Sequence, residues 1–531
     1  MAGVGNAEAN RWPLLLLAGS SESNLVTKGA FQELDAVSLL TPHTKAALRA
    51  SSESIPRTLS TAYRSAWYGK GGTGFIDLPA DVIQGDAESG TLVPVAAPPR
   101  IEGDRTRIAQ AAQLLKNAKS PLIIIGKGAA YARAEGEIRN FIETTQFPFL
   151  PTPMGKGVMP DTHPLNTSAA RSVALREADV VLVLGARLNW ILHFGESPKW
   201  AENVKIIQVD NDANELGKNA ADPALAIHGD INAVVSALQI NTRFPTDTPY
   251  WTALRASITK NEVTAAKAAK VDSIPMTYAK VFDVIKSTIH SLSKPEDGEV
   301  VYVSEGANTM DISRSIFSVE HPRLRLDAGT SATMGVGMGY AIAAHMAYNI
   351  PSSEGSPEGV AGPSTKPKKI VCLEGDSAFG FSLAEVETMA RYKMPILVFV
   401  VNNSGVYHGD SADEKSWREK QALTIAGKED GLRSSSLSWE TGYEKIAEMC
   451  GGKGYLVRTP QELEVATREG FKSDKVTVVN VIIEAGQAKK LVGIPLLHSD
   501  QMNVSGGESF SILFKYPGEE VSHIMERGGY G

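Results

Sequence analysis

Cysteine is nearly missing from this chain: Cys372 and Cys450 are the only two among 531 residues. That excludes a disulfide framework and a Cys-based metal centre, and it points to a reducing compartment. No apolar run reaches the ~18 residues that a membrane-spanning helix needs. Blocks of Lys and Arg are absent as well. The net charge is -7, so nothing marks a nucleic-acid face, and an anionic substrate would need a local basic pocket. The opening residues, MAGVGNAEANRWPLLLLAGSSE, lack the basic n-region of a signal peptide. With 43% hydrophobic and 21% charged residues the composition is that of an ordinary globular protein, and the length suits two to four domains.

Short apolar runs alternate with helical patterns, which indicates parallel sheets wrapped by helices, an α/β fold. Strands are expected at 14–17 and 74–77, then at 122–125, 180–184 and 206–209, and then at 300–303, 370–373, 396–401 and 476–483. The run PLLLLAGS reads as a buried strand entering a turn, with pairing partners expected upstream. The VPVAAPPR segment separates the first group from the second, and a polar stretch around 240–275 leads into the third. The Pro-, Gly- and Ser-rich segment 351–369 reads as a mobile surface insertion. The tail after 491 shows no periodicity.

The most informative stretch is 373–410, LEGDSAFGFSLAEVETMARYKMPILVFVVNNSGVYHGD. Asp376 stands at the carboxyl end of an apolar strand, the edge where ligands of open α/β sheets gather. Gly375 permits close backbone approach. The N–H groups of Ser377 and Ala378 can cradle an anion at a helix start. Ser382 and Glu385 have the spacing of a capping box. Pro395 ends the helix, and ILVFVV returns as a buried strand bearing Asn402 and Asn403. The interval from Asp376 to Asn403 fits one strand-helix-strand crossover, so the two side chains can meet. A carboxylate, an amide oxygen and a loop carbonyl suit Mg²⁺ shared with phosphate oxygens. Either piece alone reads more simply as a turn or a strand cap; the two at this spacing favour the metal site.

This Gly-Asp…Asn-Asn pair resembles the thiamin-diphosphate (ThDP) signature. With SEGANTMDISR (304–314), RLDAGTSATMGVGMGYAIAA (325–344), PTPMGKGVMPDTHPLN (151–166) and GARLNWILHFG (185–195), the chain resembles the 2-hydroxyacyl-CoA lyase and oxalyl-CoA decarboxylase family. The resemblance implies a three-domain ThDP fold: a partial pyrimidine-binding domain at 1–92, a central domain at 100–242, a diphosphate-binding domain at 276–490 and a divergent tail at 491–531. It implies Mg²⁺ held by Asp376, Asn403 and the Gly405 carbonyl. Gly375, Ser377 and Ala378 would lie at the cofactor, Met334 beneath the thiazolium, and Tyr407 nearby. ADP is a further implied ligand, at Lys127, Asp210, Asp230 and Ile231. The family's Gly-Arg-Pro-Gly stands here as Gly69-Lys70-Gly71-Gly72, and Lys lacks the planar fork of Arg, which weighs against ADP.

Phe31-Gln32 resembles the lyases more than the Tyr-Glu of oxalyl-CoA decarboxylases, which makes Gln32 a second active-site candidate. The implied reaction is cleavage of a 2-hydroxyacyl-CoA to formyl-CoA and a shortened aldehyde, as in fatty acid alpha-oxidation. Decarboxylation of oxalyl-CoA is the alternative, and a non-catalytic ThDP-fold binding protein is the third reading. The family's activating Glu lies ahead of the segment matched by ANRWPLLLLAGSSE. Glu8, Glu22, Glu33, Glu53 and Glu88 are the early carboxylates here, and none has its context. On the order of 100 residues are therefore expected to be missing, a plausible share of one domain, with activity impaired. The resemblance further implies a homo-oligomer, dimer or tetramer, if the first domain is complete. It implies a peroxisomal location, although Gly529-Tyr530-Gly531 is no Ser-Lys-Leu address, which leaves cytoplasm as the alternative.

Overall fold

A computed structural model describes residues 1–86, 94–350 and 367–485, all within one compact unit, Met1–Pro495. Most of the proposed insertion and the whole of the tail after 491 lie outside the described residues. Three parallel sheets follow one another along the chain. The first holds β1 (Leu14–Ser20), β2 (Ala46–Arg49) and β3 (Thr73–Pro79) in the order β1-β3-β2. The second holds β4 (Pro121–Ile125), β5 (Phe149–Pro151), β6 (Val180–Leu184), β7 (Lys205–Asp210) and β8 (Ala226–His228) in the order β5-β4-β6-β7-β8. The third holds β9 (Val300–Ser304), β10 (Arg325–Asp327), β11 (Lys369–Gly375), β12 (Leu397–Asn402), β13 (Lys453–Val457) and β14 (Thr477–Ile482) in the order β10-β9-β11-β12-β14-β13.

The nine expected strands all form. Their β-branched and Leu-rich runs are what a parallel sheet covered on both faces requires. In β12, Leu397, Phe399 and Val401 enter one apolar cluster, while Val398 and Val400 enter the other. Period-2 alternation thus feeds two cores from one continuous apolar run.

The polar stretch before the third sheet is more ordered than its composition implies. It contains a helix from Pro249 to Ala269, begun by Thr248, whose hydroxyl accepts the Trp251 N–H at 3.2 Å. Only its first turns bury residues, Tyr250, Trp251 and Leu254, against the second core. The apolar signal is confined to those turns.

In the second and third sheets the order of strand addition reverses beside the first strand of the unit. The reversal falls between β4 and β6 in one and between β9 and β11 in the other, if β5 and β10 are taken as the strands added on the far side. Crevices at such switch points, at the carboxyl ends of the strands, are where open α/β sheets bind ligands. Residues 126–127 and 185–187 meet at the first crevice. Residues 305–306 and 375–376 meet at the second.

The capping box does not form. Ser382 closes one helix (Asp376–Ser382), and the next (Glu385–Arg391) starts from Ala384 without a side-chain cap. The Ser382 hydroxyl oxygen is enclosed without a hydrogen-bond partner. The expected single helix is broken between Ser382 and Glu385, so the two residues stand on separate helices and cannot cap one another.

Candidate active site

Asp376 follows β11 directly, and Asn403 follows β12. Because β11 and β12 pair in register, Gly375 against Val401, the two residues arrive side by side. Asp376 Oδ2 accepts the N–H of Asn403 at 3.2 Å and of Gly405 at 3.0 Å, and Oδ1 accepts the Ser377 N–H at 2.7 Å. The carboxyl is buried, and burial pushes its pKa up to about 7 against the lowering effect of those amides.

The two asparagines divide their work. Asn402 turns away: its Nδ2 donates to the Thr441 carbonyl and to Asn480 Oδ1, both at 3.1 Å. Asn403 Nδ2 donates to the Tyr407 carbonyl at 2.8 Å, which leaves its Oδ1 buried with no hydrogen-bond partner. A buried amide oxygen without a donor is costly unless something else fills the position. Beside a buried carboxylate, an orphaned oxygen of this kind fits a hard cation. Among the described residues no group of three or more His, Cys, Asp or Glu is arranged to hold a metal.

Three details of the geometry bear on the neighbouring residues. The Ser377 N–H already donates to Asp376, so of the two amides assigned to an anion only that of Ala378 is not committed in this way. Gly405 faces Asp376 with its N–H, whereas the implied ligand is its carbonyl. A Cβ at Gly375 would stand in ordinary contact, 3.5 Å from Thr309 Oγ1 and 3.7 Å from Gly306 Cα.

Tyr407 is 44% exposed and has φ +62°, a left-handed backbone rare for an aromatic residue. Its carbonyl accepts both Asn403 Nδ2 and Asn308 Nδ2, the latter at 2.9 Å, and these bonds hold the turn in that conformation. Met334 is half-buried on the loop after β10. That loop is gripped at Thr330, whose N–H donates to Asn10 Oδ1 at 3.1 Å. The Thr330 hydroxyl accepts from Arg187 at 2.7 Å, and its carbonyl accepts from Trp190 at 2.8 Å. Beneath the loop lie two buried carboxyls, Glu305 and Glu374. Burial, and then Glu305, push Glu374 well above the usual carboxylate range, and Cys372 Sγ lies 3.0 Å from its Oε1.

The expected nucleotide residues are only partly brought together. Lys127 and Asp210 share the crevice of the second sheet. Asp230 instead caps the helix Ile231–Leu238 by accepting the Ala233 N–H at 3.2 Å, and Ile231 is a core residue. Lys127 Nζ is enclosed without a hydrogen-bond partner, 5.2 Å from the centre of the Trp12 ring. Burial first, then Arg187 and Arg11, lower its pKa to about 6. Burial raises Asp210 to about 6. Sequence reasoning missed Arg11, which bonds Glu215 at 2.9 Å, and Arg187. The Gly-Ala-Arg after an apolar strand was the available signal for Arg187.

Gln32 lies on an exposed loop with φ +56°, beside Phe31, which is 87% exposed. No hydrogen bond joins Gln32 to the Asp376–Asn403 site among the described residues. Of the early glutamates, Glu8 faces His43 at 3.8 Å. Glu33 closes its own loop by accepting N–H groups from Thr27, Gly29 and Ala30. Glu22 precedes a short 3-10 turn without capping it, Glu53 is exposed, and Glu88 lies outside the described residues.

A separate cavity of about 250 Å³ is lined by Arg171, Arg176, His193 and Lys199, together with Ser172, Leu175 and Pro198. The Arg171 guanidinium bonds the Ile191 carbonyl rather than a carboxylate, and burial with Arg314 lowers its pKa to about 10.

Comparison with known proteins bears on the fold and the family. Residues 108–238 match the thiamine pyrophosphate enzyme central domain, and residues 305–481 match the C-terminal TPP binding domain. The fold resembles that of benzoylformate decarboxylase from Polynucleobacter necessarius, with a TM-score of 0.70 at 19% identity over 92% of this chain and 85% of that one. Fold and domains together define a thiamine pyrophosphate enzyme. The chain is 42% identical to 2-hydroxyacyl-CoA lyase 1 of Homo sapiens, over 92% of this chain and 82% of that protein. It is 35% identical to oxalyl-CoA decarboxylase of Escherichia coli (strain K12), over 94% of this chain and 84% of that protein. The chain belongs to the family of 2-hydroxyacyl-CoA lyases and oxalyl-CoA decarboxylases.

Proposed function

We propose that the chain binds ThDP with Mg²⁺ and acts on 2-hydroxyacyl-CoA, releasing formyl-CoA and a shortened aldehyde. The orphaned Asn403 Oδ1 beside buried Asp376 carries this reading. In it Asp376, Asn403 and the Gly405 carbonyl hold the metal, Gly375 and Ala378 lie at the diphosphate, and Met334 supports the thiazolium. When bound, ThDP would supply an electron sink that stabilises the negative charge left on the one-carbon fragment as the carbon–carbon bond breaks. The protein's part is to fix the cofactor, orient the acyl group and exclude water.

An acyl-CoA carries phosphates remote from its thioester, and the cavity lined by Arg171, Arg176, His193 and Lys199 is the basic pocket that such a ligand needs. It lies near Arg314, which shares the helix Ala307–Ile316 with Asn308, the residue that touches Tyr407. From Asn308 to Arg314 the helix rises roughly 9 Å, a distance that a flexible arm can span.

In this reading the three segments are the pyrimidine-binding, central and diphosphate-binding domains, and the matches of residues 108–238 and 305–481 support the last two. In the first, Leu17, Val26, Leu34, Leu39 and Ile83 are exposed, which supports burial against a second copy in a homo-oligomer. ADP at Lys127 and Asp210, and a peroxisomal location, remain proposals drawn from the family.

The test supplies purified protein with ThDP and Mg²⁺, then 2-hydroxyacyl-CoA or oxalyl-CoA, and follows formyl-CoA. Formyl-CoA from the hydroxyacyl substrate, even at a low rate, supports the lyase. Formyl-CoA from oxalyl-CoA alone favours the decarboxylase. Failure to bind ThDP at all sinks the reading.

A further inference from the structure

We propose that Glu305 is a positioning residue for the cofactor site: by accepting the main-chain N–H groups of Gly335 and Gly337, its carboxylate sets the backbone on which Met334 stands. The inference rests on the reading of Met334 as the support beneath the thiazolium ring. Glu305 comes immediately after β9 and is 1% exposed. Its Oε1 accepts from Gly335 and its Oε2 accepts from Gly337, the latter at 2.5 Å. These amides lie one and three residues beyond Met334.

The main chain of Glu305 is pinned as well. Its N–H donates to the Leu373 carbonyl at 3.0 Å, and its carbonyl accepts the Gly375 N–H at 3.3 Å. Gly375 immediately precedes Asp376. One residue therefore links the edge bearing the metal-site candidates to the loop bearing Met334, across the switch point between β9 and β11.

The contact is built for close approach. A Cβ at Gly337 would stand 2.9 Å from Glu305 Oε2 and 2.0 Å from Glu374 Oε1. Gly335 has φ +87°, and a Cβ there would meet the Phe381 Cβ at 2.9 Å. Glycine at both positions lets the amides reach the carboxylate. Burial raises its pKa, and the main-chain amides of Gly337, Gly335 and Val336, rather than a cation, oppose that by favouring the charged form. The other end of the loop is held at Thr330 by Asn10, Arg187 and Trp190. Met334 lies between these two clamps.

Glutamine at this position accepts one amide but turns an NH₂ group toward the other. Two charge-assisted bonds become at most one neutral bond, which corresponds to a loosening of about 10- to 100-fold. The test is hydrogen exchange by mass spectrometry on the cofactor-free full chain, joined to calorimetric titration with ThDP and Mg²⁺. In Glu305→Gln, exchange in segment 330–338 rises about tenfold or more, while β9 and β12 keep their protection. ThDP affinity falls about tenfold. Met334→Leu leaves exchange of the segment as in the native chain. Added to Glu305→Gln, it lowers ThDP affinity by less than it does alone, as expected when one residue acts through the other.

Native exchange in Glu305→Gln overturns the proposal, and so do independent, multiplicative effects on ThDP affinity. If Glu305→Gln does not fold, Glu305→Asp keeps the charge but shortens the reach by one methylene; intermediate exchange supports the clamp, and native exchange refutes it. Failure of the native chain to bind ThDP overturns the cofactor reading and the positioning role with it, whereas the exchange result reports the clamp independently.

Discussion

In the third sheet β12 lies between β11 and β14, and every residue from Leu397 to Asn402 is buried. In the first sheet β1 has one neighbour, β3, and Leu17 stands 51% exposed although LLLL has the composition of an equally buried strand. Both runs read alike in sequence. Burial of a parallel strand needs neighbours on both edges and cover on both faces, and composition specifies only the demand. The closed sheet is also where the site candidates converge. An edge pinned on both sides holds a buried carboxylate and an orphaned amide oxygen in register, and an open edge offers no such constraint. Phe31, Leu34 and Leu39 continue the uncovered apolar surface around the first sheet.

Several substitutions would break or sharpen this contrast. The largest effect is expected in the closed sheet. Phe399→Ala should cost about 3–5 kcal/mol of stability, read from denaturant midpoints, because a fully buried ring leaves a cavity between strands that cannot collapse. A loss below 1 kcal/mol would mean that the third sheet is no better packed than the first. Next, Asp376→Ala should weaken ThDP binding in the presence of Mg²⁺ by about 100-fold while the fold survives, as calorimetry and circular dichroism would show. Unchanged affinity would remove the metal from this edge.

A third effect tests the crevice of the second sheet. Lys127 has a folded pKa of about 6, below its unfolded value. From about pH 6 up to its unfolded value of about 10.4 the unfolded chain therefore binds the extra proton, and stability rises with pH. Lys127→Met removes that slope. It should stabilise the chain by about 1–3 kcal/mol near pH 6, with the gain shrinking as pH rises toward 9. A gain that does not vary between pH 6 and 9 contradicts the enclosed ammonium. The smallest effect belongs to the open sheet. Leu17→Ser should change folding stability by less than about 0.5 kcal/mol, yet lower self-association in sedimentation experiments. A large folding penalty would show that β1 is covered within the chain.

Legibility in the sequence followed the strength of local signals. The long central strands and the meeting of Asp376 with Asn403 were readable, because apolar runs and a crossover-length interval are local facts. Strands β2, β5, β8, β10 and β13 were not foreseen; most are short edge strands, and β13, KGYLV, is largely uncovered. The Ser382–Glu385 pair matched a capping motif, but the chain breaks the helix between the two residues. The resemblance implied a nucleotide role for Asp230, and the structure shows its side chain capping a helix.

By itself the sequence determined the sheet-forming runs, the family and the pairing of an acid with an amide at one strand edge. Tertiary structure decided which asparagine is available, since Asn402 is drawn off by Thr441 and Asn480 from far along the chain. It also decided that Asp376 is buried enough for its pKa to reach about 7, and that Glu305 grips the Met334 loop. The physical reason is common to all three. Desolvation and hydrogen-bond partners come from residues brought close only by packing, so no local pattern can encode them.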